Sequence, residues 1–454
     1  MNPHIVIAGG GFAGTTLVRT LQRRLPREAA LTLISEESYT TFNPMLPEAV
    51  GAALFPEQTV APIRAMLTAR TRFVMGRIKS VDARAKALTC ETLGGERAFA
   101  YDELVLALGS RARLDLVPGM AEHALPLKTV GDALHIRNSV LRRAAAIELE
   151  PDAAERRRLG RFVVIGGGFS GVEVAGQLAD CLAGIRRYYP RIGAPGFDVL
   201  LVQDIDRLLP ELPPRLGSAA ARSLAARGVS IRLGARAVEV NENGIRLANG
   251  SFIDAGTVIC TIGTRPNRLI EEMKLSMERG RVVVSGDMSV PGKSGLWALG
   301  DCALVPNAHD VSFAPPTAQF AVREAKTLAG NILARLQGRA TRAFRYRSLG
   351  AMATIGHLKG VAQVLGVPLT GVAAWFLWRA YYLSQMPTLG RKVRIFVEWT
   401  WAMFFRADIT HLRFTRSRDL VRSPAEPRGR RHPGRRRQGR GPEASSGAEA
   451  RGSV

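Results

Sequence analysis

The stretch His4-Ile5-Val6-Ile7-Ala8-Gly9-Gly10-Gly11-Phe12-Ala13-Gly14 decides the fold of this chain. Its first five residues are a short apolar, β-branched run, which reads as a buried strand. Glycines follow at once in G-x-G-x-x-G spacing, and residues 15–24 read as a helix. Residues 31–34 are the next strand, ending at Ser35-Glu36. Strand, turn, helix and strand in that order demand a parallel pair. In this context each glycine has a physical task. Gly9 makes the tight turn, Gly11 lets the backbone approach a pyrophosphate, and Gly14 lets helix and strand pack closely. The helix N-terminus then faces the phosphate charge. Glu36 lies 22 residues after Gly14, close to the ~20 expected of an acid that binds a ribose hydroxyl.

The pattern recurs. Residues 162–165 are a strand, Gly166-Gly167-Gly168-Phe169-Ser170-Gly171 is the turn, residues 172–182 a helix and residues 199–202 a strand. This second unit ends at Gln203-Asp204, 32 residues after Gly171. Either residue could reach a ribose; Asp204 disfavours a 2′-phosphate, and the nearby Arg207 weakens that preference. Two copies in one chain predict an α/β protein with two Rossmann-like dinucleotide-binding domains. Further strands at 104–108, 258–262 and 296–299 close on Gly109-Ser110, Gly263-Thr264 and Gly300-Asp301, and a helix spans 317–336. A carboxylate such as Asp301, placed after a buried strand and a glycine, can accept hydrogen bonds from a sugar-like hydroxyl. Ala318-Gln319 opens a helix whose free N–H groups stabilise negative charge. Glu173 sits in the first turn after Gly171, where a carboxylate also suits the helix dipole.

Composition narrows the class. Of 454 residues, 46% are hydrophobic and 22% charged, enough to bury a core. The formal net charge is +24. From Val421 onward there are nine arginines against three glutamates, so +18 remains on the preceding 420 residues. Such a surface suits anionic lipid, nucleic acid or phosphate-rich cofactors. Cys90, Cys181, Cys260 and Cys302 lie far apart with no C-x-x-C pair, which excludes a zinc ribbon and a local redox disulfide. No metal site is expected.

At this point the chain resembles the two-dinucleotide-binding-domain flavoproteins, and within them the type II (non-proton-pumping) NADH:quinone oxidoreductases, over about residues 4–412. Beyond the glycine turns, residues 39–47 (Tyr-Thr-Thr-Phe-Asn-Pro-Met-Leu-Pro) resemble the family's aromatic-x-Pro-Leu-Leu segment. Residues 261–267 resemble the loop returning from the NADH domain, and residues 299–303 are similar to the flavin-ribityl motif. Pro315-Pro316-Thr317-Ala318-Gln319 resembles the segment beneath the isoalloxazine ring. The resemblance implies noncovalent FAD held by Gly9, Gly11, Phe12, Ala13, Gly14, Ser35, Glu36, Pro44, Gly109, Asp301, Ala318 and Gln319. It implies NADH held by Gly166, Gly168, Phe169, Ser170, Gly171, Glu173, Gln203, Asp204 and Gly263. Glu173 and Gln319 are then the catalytic candidates, and Gln319 and Arg323 face a membrane quinone. The reaction implied is hydride transfer from NADH to FAD and delivery of two electrons to quinone, without proton pumping.

The departures are informative. Arg323 stands where the family often has a second glutamine, and a guanidinium cannot accept a hydrogen bond. Gln203 replaces the usual ribose-binding glutamate. No cysteine pair occupies residues 15–24, none lies near Phe42-Asn43, and Cys302 reads as small-residue packing, so a thiol mechanism is not expected.

From 346 to 412 aromatics concentrate. Residues 361–378 could span a membrane by length, but Pro368, Gly366 and Gly371 break the run and Gly360 precedes it, so a strand and a short helix from 371 to 383 fit better. Residues 393–405 place Phe396, Trp399 and Met403 at helical spacing with Lys392, Arg394 and Arg406 at the margins, the composition of an interfacial helix. A core helix or a homodimer contact is the alternative. The expected organisation is an FAD-binding domain from 1–120 and 291–340, an NAD(P)H-binding domain at 121–290, a C-terminal membrane-associating domain at 341–415, and a disordered basic tail at 416–454. The expected place is peripheral, on the cytoplasmic face of the inner membrane, against an anionic lipid surface. A soluble NAD(P)H oxidase or ferredoxin-type reductase is the same-fold alternative. A redox-responsive nucleic-acid-binding flavoprotein is the alternative of another class, and nucleic acid is the less expected partner.

Overall fold

The computed structural model describes residues 2–192, 196–405 and 408–412. The basic tail expected at 416–454 lies outside them. Two sheets, one mixed and one parallel, organise what precedes residue 300. The first sheet runs in the order Leu296–Ala298, Glu103–Leu106, His4–Ala8, Ala30–Ser35, Thr71–Asp82, Ala87–Thr92, Gly95–Ala100. Its first five strands are parallel and its last two form an antiparallel meander. The second sheet is parallel throughout, in the order Ala124–Pro126, Thr257–Cys260, Arg161–Ile165, Asp198–Val202, Val229–Arg232. Ile5, Val6, Ile7 and Ala8, and likewise Phe162, Val163 and Val164, are completely buried. Strands covered on both faces read as continuous apolar runs rather than alternating ones, which is why these two were legible.

The helices after the glycine turns begin three residues earlier than the sequence suggests. They span Phe12–Leu21 and Phe169–Ile185, with Gly11 and Gly168 as extended N-cap residues and no side-chain cap at either. Elsewhere caps are present: Thr129 and Asp132 form a capping box on Val130–Leu149, and Thr317 caps Ala318–Leu336. The first-turn N–H groups after Gly11 and Gly168 are therefore left to a partner other than a cap.

Residues 346–412 contain more sheet than the sequence suggested. Gly350–Thr354, Gly360–Val364 and Val367–Thr370 make a three-stranded antiparallel sheet, followed by helices Gly371–Gln385 and Leu389–Phe404. Among the described residues, no helix is long and apolar enough to cross a membrane. The face expected on the last helix is split. Trp399 is 3% exposed and packs with Ile395, Trp378 and Phe42, whereas Phe396 is 59% exposed. The outward stripe is Leu389, Val393, Phe396, Val397 and Phe404. Spacing of i and i+3 alone could not tell the core edge from the exposed edge of a helix apolar over most of its circumference.

Candidate functional site

The first turn is built by close approaches. Gly9 has φ +115°, and a Cβ there would run into the Ala107 carbonyl. A Cβ on Gly14 would strike the Gly9 carbonyl oxygen, and one on Gly10 would strike Ser35. These three glycines are demanded by the protein itself. Gly11 is different. Its backbone is extended (φ −76°, ψ −168°), which any residue adopts, and a Cβ would meet no protein atom within 4 Å. Among the described residues nothing needs glycine at Gly11, and the turn is open there to a group approaching from outside. Ser35 is buried and Glu36 exposed at the end of the neighbouring strand. Phe12 stacks edge-on to Phe42 at 4.8 Å, beside Pro44.

The second turn repeats this geometry. Gly166 has φ +111°, and a Cβ on Gly171 would strike the Gly166 carbonyl. Gly168 (φ −75°, ψ −169°) again faces open space, with only Glu211 Oε1 at 4.0 Å. Phe169 and Ser170 open the helix; Ser170 is exposed. The strand end differs. Gln203 is buried and its Oε1 accepts the Gly167 N–H at 2.7 Å, bracing the turn from beneath. Asp204 is exposed. Gly263 (φ +73°) packs against Leu116 at the exit of the second sheet.

Asp301 sits in a 3₁₀ turn, Gly300–Cys302, pinned between the first helix and the helix Ala318–Leu336. A Cβ on Gly300 would lie 3.3 Å from Ala13 Cβ and 3.8 Å from Ala321 Cβ. Glu324 Oε2 accepts the Gly300 N–H at 2.7 Å. Burial pushes the Glu324 carboxyl up to about 7, against the pull of that hydrogen bond. On the other side, Ser110 Oγ donates to Asp301 Oδ2 at 2.9 Å, one residue after Gly109 (φ +63°). Cys302 is buried and its thiol is pushed up to about 12 by that burial. It is a protonated packing residue, as the sequence suggests.

Glu173 and Gln319 are both held by the C-terminal segment. Thr354 N–H donates to Glu173 Oε1 at 3.0 Å, and Ser348 Oγ donates to Gln319 Oε1 at 3.4 Å. Only five residues, 349–353, separate those donors, so one short segment, the strand Gly350–Thr354 and its lead-in, touches both helices. Glu173 is buried, and desolvation raises its carboxyl to about 8, with Glu48 adding to the rise and Thr354 N–H opposing it. Arg323, one helical turn from Gln319, lies with Cζ 5.3 Å from the Tyr346 ring centroid. Ala318 is half-buried at the helix start.

The sequence reading missed Glu48, Arg379 and Lys128. Glu48 is 0% exposed, in the helix Leu46–Val50 just after Pro44. Trp399 Nε1 donates to its Oε2 at 2.6 Å and Arg379 Nη2 lies 3.4 Å from its Oε1. The Arg379 guanidinium is 3.7 Å from the Trp375 centroid and 4.8 Å from that of Trp399. Burial raises the Glu48 carboxyl and lowers Arg379, each opposed by the other's charge. Each is a lone charge inside an apolar run, and that was the available signal. Among the described residues, no group of three or more His, Cys, Asp or Glu could hold a metal.

Residues 3–325 match the pyridine nucleotide-disulphide oxidoreductases. The chain belongs to that family. Residues 348–408 match the NDH2 C-terminal domain, a stretch that takes in the three-stranded sheet and the two helices after it. A type II NADH:quinone oxidoreductase, Ndh of Mycobacterium tuberculosis, is 29% identical over 412 residues, covering 87% of each chain. That of Staphylococcus aureus is 29% identical over 382 residues, 82% of this chain and 92% of the relative. Among solved structures, NDH2 of Plasmodium falciparum in complex with NADH superposes with TM-score 0.83 at 18% identity, over 90% of this chain and all of that one. A ferredoxin reductase from Rhodopseudomonas palustris shares the fold at TM-score 0.61 and 22% identity, over 80% of this chain and 82% of that one.

Proposed function

We propose that the chain is a type II NADH:quinone oxidoreductase, in which FAD occupies the first glycine turn and NADH the second. The observation that carries this reading is the pair Gly11 and Gly168. Both are extended, both face open space, and neither is required by the protein around it. The uncapped helix that follows each turn offers N–H groups to a pyrophosphate. When bound, FAD supplies the two-electron carrier between NADH and quinone.

The chain's own residues then have separable tasks. Asp301 accepts from the ribityl chain, with Oδ2 held by Ser110; Glu36 accepts from the FAD ribose. Asp204, exposed where Gln203 turns inward, takes the acidic role at the NADH ribose. Burial raises the Glu173 carboxyl to about 8, which favours its neutral form at neutral pH, so that it presents no buried negative charge to an incoming hydride. Gln319 and Arg323 line the approach of the quinone carbonyls, Arg323 as a donor only. Residues 1–120 with 291–340 form the FAD-binding part, 121–290 the NADH-binding part and 341–415 the membrane-associating part. The exposed stripe Leu389, Val393, Phe396, Val397 and Phe404, flanked by Lys392 and Arg394, lies against an anionic lipid surface on the cytoplasmic side, in preference to a second copy of the chain.

The test is an anaerobic titration of the purified yellow protein. NADH should bleach the flavin absorbance, and a ubiquinone or menaquinone analogue should restore it. A flavin that NADH does not reduce, or whose reduced form ignores quinone, contradicts the reading.

A further inference from the structure

Lys128 lies in the segment that leads from the second sheet's first strand, Ala124–Pro126, into the helix Val130–Leu149. Its backbone is fixed at both ends. Its N–H donates to Asp132 Oδ2 at 2.9 Å, part of the capping box of that helix, and its carbonyl accepts from Asn43 Nδ2 at 3.4 Å. From there the side chain reaches out of its own sheet's elements toward the turn that carries Asp301. Lys128 Nζ donates to Ser110 Oγ at 3.0 Å, Ser110 Oγ donates to Asp301 Oδ2 at 2.9 Å, and Nζ itself is 3.7 Å from that oxygen. Both side chains of this ion pair are only a quarter exposed, so solvent screens the pair incompletely.

We infer that Lys128 is a positioning residue of the flavin site: through Ser110 it fixes the Asp301 carboxylate, and its ammonium cancels that carboxylate's charge beside the cofactor. The inference rests on FAD occupying the first glycine turn. The physical need is specific. The Asp301 carboxylate must be held in place to accept ribityl hydrogen bonds, yet an uncompensated carboxylate disfavours the extra negative charge of a reduced flavin. The ammonium settles both demands. It also comes from the element that begins the helix Val130–Leu149, so the charge balance at one nucleotide depends on how the segment between the two sheets is seated. A serine bridge alone could not do this, because a hydroxyl carries no charge.

The experiment compares Lys128→Met, Lys128→Arg and the double variant Lys128→Met/Asp301→Asn, measuring FAD affinity of the apoprotein by fluorescence and the two-electron midpoint potential by dye equilibration. K128M should lower the reduced-to-oxidised ratio about tenfold at a fixed potential, a shift of about 30 mV to more negative values, or weaken FAD binding at least tenfold. K128R should restore most of either change. The double variant should recover the potential, because it removes both charges together. Wild-type affinity and potential in K128M overturn the inference, and so does K128R behaving like K128M, which would assign the effect to packing. A wild-type apoprotein that fails to bind FAD at all would instead overturn the assignment of the first turn. If K128M does not fold, Lys128→Gln takes its place in both comparisons, and the same potential decides the question.

Discussion

The two glycine turns share a backbone and differ at the neighbouring strand end. Their first glycines adopt φ +115° and +111°, and their N-cap glycines agree within a degree or so. Beyond that the units part. In the first, a small buried serine, Ser35, packs under the turn and an exposed acid, Glu36, follows. In the second, Gln203 folds inward to accept the Gly167 N–H, and the exposed acid is shifted to Asp204. The backbone of a dinucleotide turn is dictated by steric contacts among glycines and carbonyls. The two turns differ in the side chains at the strand end, outside the motif. The comparison also separates glycines required by the fold from those that the described residues around them do not require.

That separation gives the largest expected effect. Gly14→Val forces a side chain into the Gly9 carbonyl and should abolish soluble folded protein. Gly11→Val enters open space from an extended backbone, and should fold with a wild-type circular dichroism spectrum but no bound flavin. Equal loss of folding in both variants would erase the distinction drawn between the two glycines.

Next in size is the buried pair of Glu48 and Arg379. Arg379→Met leaves the Glu48 carboxyl without its counter-charge, and breaking such a pair costs about 3–5 kcal/mol, read as a lower denaturant midpoint. Trp399→Phe removes one hydrogen bond to the same group and should cost about 1–3 kcal/mol. A smaller shift from Arg379 than from Trp399 would show that the indole, not the guanidinium, holds Glu48.

A pH series gives a moderate effect. The Glu173 carboxyl is raised to about 8 by burial, so the folded protein keeps a proton that the unfolded chain releases near 4.5. Its contribution to stability is complete below pH 4.5 and is lost as pH rises through 8. Glu173→Gln should flatten this fall without removing it, because Glu324, raised to about 7, slopes in the same direction. Thermal melts from pH 5 to 9 on the two proteins check the sign; an unchanged slope in the variant contradicts the assignment.

The smallest expected effect on the folded protein is at the outward stripe of the last helix. Phe396→Glu with Val397→Glu, both 59% exposed, should leave stability within about 0.5 kcal/mol and NADH oxidation by soluble acceptors unchanged. Binding to anionic vesicles and turnover of long-chain quinone should fall about tenfold. Truncating the chain before this helix is a poorer test, because it also removes Trp399 from Glu48.

Much of this was legible from sequence for one physical reason. Parallel strands buried on both faces write themselves as unbroken apolar runs, and glycines at contact points cannot be replaced. His4–Ala8, Arg161–Ile165 and the turns after them stood out on both counts. The pairing of Glu48 with Arg379 did not, since 331 residues separate them and only the folded chain shows that two lone charges in apolar runs meet. Lys128 was hidden for a similar reason: its partner Ser110 is a loop residue, and nothing in either stretch names the other. The split face of Leu389–Phe404 was hidden because aromatic residues occupy both its core edge and its exposed edge.

The proposed chemistry requires the two turns to hold different nucleotides. Anaerobic stopped-flow absorbance at the flavin band, on Gly168→Val mixed with increasing NADH, tests it. The variant should carry a full complement of FAD yet be reduced at least a hundredfold more slowly than wild type at the same NADH concentration. Loss of the flavin from Gly168→Val, or reduction with wild-type NADH dependence, would contradict the assignment of the two sites.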